Sequence, residues 1–109
     1  MIRIDCYWLA TEPMDMRAGV ETALARVIGV FGQAKPHQAY LFTNKRATRI
    51  KVLVHDGLGV WLCSRRLNQG KFHWLMPGHG ATFSLTLEQC QTLVKGLPWL
   101  RIDQALTLS

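Results

Sequence analysis

Two runs of seven residues, Arg49 to His55 and Val60 to Arg66, flank the tetrapeptide Asp56-Gly57-Leu58-Gly59. Strand-like alternation on both sides of a two-residue, glycine-containing connection is a strong short-range signal for an antiparallel hairpin. With Gly57-Leu58 as the turn, glycine at the first central position suits type II′. Asp56 then pairs with Gly59, and the register sorts every side chain by parity. Ile50, Val52, Val54, Trp61 and Cys63 fall on one face, expected to be the core face. Arg49, Lys51, Leu53, His55, Leu62, Ser64 and Arg66 fall on the other, expected to point outward.

The remaining segments supply partners for that hairpin. Ile2 to Ala10 alternates and then turns aromatic, which predicts a strand ended at Thr11-Glu12-Pro13. Asp15 is placed to cap a helix whose apolar residues Val20, Leu24, Val27, Ile28 and Phe31 form one buried stripe. Ala39 to Thr43 predicts a short strand, Lys71 to Leu75 a third strand after the hairpin, and Thr82 to Leu85 another. Thr86 and Gln89 have the spacing of a capping box. Leu87, Cys90, Leu93 and Val94 then give a short helical face that stops at Gly96 and Pro98. The expected fold is α+β, a single domain over 1–109, with residues 101–109 as a tail. It is an antiparallel β-meander with a central hairpin packed against an N-terminal and a short C-terminal helix.

Composition limits the function classes. Hydrophobic residues make up 49% and charged residues 18%, the balance of a chain that buries a core. No apolar run approaches the ~18 residues of a membrane span, and Asp5 interrupts the start of the chain, so a cytoplasmic protein is expected. Cys6, Cys63 and Cys90 are odd in number and widely spaced, which fits neither a disulfide framework nor a thiolate metal site. Phosphate-binding and dinucleotide-binding glycine motifs are missing, and the seven carboxylates are scattered, so no cofactor and no metal is expected.

The net charge of +6 is local. Seven of the 13 Lys and Arg residues, Lys45, Arg46, Arg49, Lys51, Arg65, Arg66 and Lys71, lie in a stretch whose single acid is Asp56. Cations along a strand face, with Phe72 and Trp74 nearby, suit a phosphate backbone, and the reading that competes is a solvated sheet face over core aromatics. His37, His55, His73 and His79 admit a histidine-dependent nuclease, although no spacing singles out a pair.

Several blocks, taken in order, also resemble a known family. They are Trp8; Pro13-Met14-Asp15-Met16-Arg17-Ala18-Gly19; Lys45-Arg46; Lys51 to Gly59; and Arg65-Arg66-Leu67-Asn68-Gln69-Gly70-Lys71-Phe72-His73-Trp74. Together they resemble the small TnpB accessory proteins of bacterial insertion sequence sixty-six elements. The resemblance implies a protein that assists DNA transposition beside a separate, larger transposase.

The expected function is therefore a noncatalytic, nucleoid-associated factor that binds DNA at element ends with weak sequence preference, through the seven cations above. The alternative is a docking module for the transposase, with Arg17 and exposed Trp8, Trp74 or Trp99 as partner contacts.

Overall fold

The computed structural model describes residues 3–75, 78 and 80–100. In chain order the elements are β1 (Cys6–Ala10), α1 (Val20–Phe31), β2 (Gln38–Thr43), β3 (Arg49–His55), β4 (Val60–Arg66), β5 (Thr82–Leu85) and α2 (Leu87–Val94). The strands form one five-stranded sheet in the order β4-β3-β2-β1-β5. This is an α+β fold, as predicted from the sequence. The expected tail at 101–109, the start of the first strand at Ile2, and His79 lie outside the described residues.

The hairpin follows its sequence register. His55 faces Val60, Leu53 faces Leu62 and Arg49 faces Arg66. Asp56 N–H donates to the Gly59 carbonyl at 3.0 Å, and Gly57 has φ +94°, as a type II′ turn requires.

The sheet is mixed instead of a meander throughout. β2, β3 and β4 form the meander, but β1 lies parallel to β2 and antiparallel to β5. Parallel neighbours need a crossover, and α1 between β1 and β2 supplies it. The β3–β4 hairpin consequently stands at one edge of the sheet, with β4 outermost, and not at its centre.

Both faces are covered, which overturns the expectation of one core face and one outward face. On the first side, Ala23 and Val27 of α1 pack with Ala10, Tyr40, Phe42 and Leu53. On the second, Cys90 and Leu93 of α2 pack with Leu9, Leu41, Ile50, Val54, Phe72 and Trp99. Leu53, expected to point outward, is therefore fully buried, while Trp61, expected in the core, is 53% exposed on the edge strand. The segment Lys71–Leu75 is not a strand. It crosses the second face, with Phe72 N–H donating to the Ala47 carbonyl at 2.7 Å and Trp74 Nε1 to the Ala10 carbonyl at 2.9 Å.

The helices differ from expectation mainly at the start of α1. Asp15 does not cap it: the N-cap is Gly19, without a side-chain bond, and Asp15 instead accepts from the Arg17 backbone N–H. The buried stripe centres on Ala23 and Val27, leaving Val20 and Ile28 almost half exposed. In α2 both bonds of the capping box form: Gln89 N–H to Thr86 Oγ1 at 3.0 Å, and Thr86 N–H to Gln89 Oε1 at 2.9 Å. Leu87, expected on the buried face, is 54% exposed in the first turn.

Candidate nucleic-acid interface

The cations of the central stretch gather where β2 ends and β3 begins. Asn44 organises that connection. Its Oδ1 accepts from the N–H groups of Thr48 at 2.9 Å and Arg49 at 3.2 Å, and its Nδ2 donates to Thr48 Oγ1 at 2.9 Å. With these bonds closing the loop, Lys45 and Arg46 project from its tip, both exposed. Arg49 begins β3 directly opposite Arg66, the last residue of β4. Both are exposed and on the same face, as any directly opposed antiparallel pair must be. Lys71 is brought to the same end of the sheet by the bond from Phe72 to Ala47.

The Pro13–Gly19 segment forms the adjoining wall. Met14 N–H donates to the carbonyl of Thr43 at the end of β2, and Arg26 Nη2 holds the Pro13 carbonyl at 3.0 Å. Between this wall and the Asn44–Arg49 loop lies a cavity of about 420 Å³ lined by Met14, Asp15, Lys45 and Arg49. It adjoins a more apolar cavity of about 540 Å³ lined by Phe72, Trp74, Leu75 and Ala47, with Pro13, Asn44 and Lys45 shared by both. The first cavity is flanked by Lys45 and Arg49 together with Asp15, the second by Phe72 and Trp74 together with Glu12. The sequence signal for this wall was weak, because Pro13-Met14-Asp15 reads as a helix start; Asn44 before two cations was the one legible turn signal.

Not every central cation belongs to the cluster. Lys51 shares the face of Arg49 and Arg66, but its Nζ donates to the Ala18 carbonyl and ties the wall to β3. Arg65 points to the α2 side, where its Nη1 donates to the Val94 carbonyl at 2.9 Å and caps the end of that helix. Arg17 sits in a fork on Asp15, with Nη2 to Oδ2 at 2.7 Å, and this hydrogen-bonded guanidinium holds the Asp15 carboxyl down at about 2. Arg17, named as a partner contact, is thus engaged by Asp15 of its own segment. The ion pairs among the described residues are Arg3–Asp5 and Arg17–Asp15, so Lys45, Arg46, Arg49, Arg66 and Lys71 have no carboxylate partner there.

The tryptophans named as partner contacts are integrated into the fold. Trp99, expected to be exposed, is 2% exposed and donates Nε1 to the His73 carbonyl. Trp8 and Trp74 are half-buried, their indole N–H groups bound to Gln38 Oε1 and the Ala10 carbonyl. The exposed indole is Trp61, fixed by Asp56 Oδ2 at 2.7 Å.

Two of the histidines, His37 and His55, stand apart from the cations. His37 and His55 meet at the turn end of the hairpin, where His37 N–H donates to the His55 carbonyl and the His37 ring packs beneath Gly57. Arg49 lies six residues along β3, roughly 20 Å away at ~3.3 Å per residue.

Comparison with known proteins agrees with this arrangement of blocks. The family model described as IS66 Orf2 like protein matches residues 5–104. The chain belongs to this family. Two relatives from Sinorhizobium fredii (strain NBRC 101917 / NGR234) are the uncharacterized proteins y4jC and y4hO. The chain is 32% identical to y4jC over 98 residues, covering 88% of this chain and 82% of that protein. It is 30% identical to y4hO over 94 residues, covering 84% and 80%. No solved structure matches. Membership of the IS66 Orf2-like family makes this chain an insertion-sequence-associated accessory protein. No helix among the described residues is long and apolar enough to cross a membrane.

Proposed function

We propose that this IS66 Orf2-like protein is a noncatalytic, nucleoid-associated nucleic-acid-binding factor that works with the transposase of its element. It holds DNA by the phosphate backbone at the loop end of the hairpin. The observation that carries this reading is the direct opposition of Arg49 and Arg66 without a carboxylate between them. Like charges paired across strands repel, and an anion placed between them converts that repulsion into two charge-assisted hydrogen bonds. Lys45, on the adjoining cavity wall, extends the same positive surface.

Phosphate contacts position a protein on DNA without reading sequence, so element-end and unrelated duplexes bind with similar affinity. The test is fluorescence anisotropy on both duplexes with wild type and with Lys45, Arg49 and Arg66 changed together to Ala. Lys51 is left intact because it anchors the wall. Loss of binding to both duplexes in the triple variant supports the reading. Failure of the wild type to bind either duplex at low salt refutes it and favours the docking module for the transposase.

A further inference from the structure

We propose that this protein forms a symmetric dimer through the free edge of β4, giving a continuous ten-stranded sheet centred on Cys63. β4 is an outermost strand paired with β3 over all seven of its residues. Its outer side carries no described strand. Natural edge strands are usually guarded by charged side chains, proline or a bulge; β4 has no proline or bulge, and its charges, Arg65 and Arg66, are confined to its C-terminal end.

The hairpin register decides which backbone groups are free. In an antiparallel ladder, hydrogen-bonded and non-hydrogen-bonded pairs alternate. The bond from Asp56 N–H to the Gly59 carbonyl sets the phase, so Trp61, Cys63 and Arg65 bond inward to β3. Val60, Leu62, Ser64 and Arg66 therefore direct their N–H and C=O groups outward.

A second copy fits this row in one best register. A twofold axis at Cys63 pairs Val60 with Arg66 and Leu62 with Ser64, using all four outward residues for roughly eight backbone bonds. Moving the axis by one residue loses one of those pairs. Moving it two residues toward the C-terminus sets Arg65 against Arg65, which repels. At Cys63 the arginines stay apart, and Arg65, held on the Val94 carbonyl, is paired with the exposed Trp61 of the other copy, whose indole is held on its own Asp56. Beside Arg65 on that face lies a cavity of about 310 Å³ lined by Ile50, Val52, Cys63 and Val94, a recess for that indole.

This pairing is independent of the nucleic-acid reading and has a geometric signature. Cys63 meets its own copy in a non-hydrogen-bonded pair with Cα atoms about 4.5 Å apart, within disulfide range. Cys63 is exposed, whereas Cys90 is buried and its thiol is pushed up to about 11 by that burial.

The experiment combines sedimentation equilibrium with oxidation by diamide, which removes the two thiol hydrogens as the disulfide forms. Wild type is expected at twice the 12.4 kDa chain mass and to cross-link through Cys63, with cross-linking abolished in Cys63→Ser. Ser64→Pro removes an outward N–H without touching the β3 ladder, and Cys63→Lys sets two ammonium groups face to face. Each should give a folded monomer by circular dichroism, the second serving if proline perturbs the strand. A monomeric wild type overturns the proposal, including one that instead captures an acidic extended peptide. So does a dimer that persists in both variants or fails to cross-link at Cys63.

Discussion

At the scale of single residues, the turn of the hairpin shows how several weak preferences meet in one place. Asp56 Oδ1 accepts from the N–H groups of Leu58 and Gly59, both at 2.8 Å, and Oδ2 accepts from the Trp61 indole. These donors, the Leu58 N–H foremost, lower the Asp56 carboxyl from its ordinary 3.8 to about 2. A depressed carboxyl contributes stability that is complete above pH ~4 and is lost as pH falls towards ~2. The melting temperature of wild type minus that of Asp56→Asn should therefore be constant above pH 5 and shrink below pH 4; a difference independent of pH would contradict the assignment. Gly57 is constrained twice, by its φ of +94° and by His37 Cε1 at 3.0 Å from where a Cβ would stand. Gly57→Ala should cost about 1–3 kcal/mol in urea unfolding. The glycine requirement was legible in the sequence. The His37 contact was not, because 20 positions and two entire strands, β2 and β3, separate the two.

At the scale of elements, local chemistry was the readable part. Thr86 and Gln89 announced α2, and both capping bonds are present. Thr86→Ala should cost about 1 kcal/mol, measured by chemical denaturation, with Thr86→Ser close to wild type. The start of α1 misled for an equally local reason: Asp15 is a good cap by type, but Arg17 captures its carboxylate and the chain turns first, with Ala18 N–H bonding the Asp15 carbonyl at 3.1 Å. Lys71–Leu75 has strand-like composition, yet its aromatics are spent on covering the second face of the sheet. Periodicity reports that residues are buried; it does not say whether a strand partner or a packed segment buries them.

At the scale of the whole molecule, the unreadable feature was the crossover. Nothing local signals that β1 inserts beside β2 in parallel, and that insertion places β2 at the middle of a sheet covered on both faces. Leu53 is the residue on which the two views differ most. With Leu53 fully buried beneath α1, Leu53→Ala should cost about 2–5 kcal/mol, whereas an outward-facing leucine would cost little. The same architecture divides the seven sequence-marked cations. Lys45, Arg46, Arg49, Arg66 and Lys71 remain without carboxylate partners among the described residues, while Lys51 and Arg65 secure the wall and the end of α2. The salt dependence of DNA binding tests this division most directly. Each phosphate contact contributes about −0.9 to the slope of log affinity against log salt. The account predicts a wild-type slope of roughly −3 to −5 that becomes shallower by about 1 for each of Lys45, Arg49 and Arg66 changed to Ala. A salt-independent affinity, or a slope unmoved by these three substitutions, would contradict it.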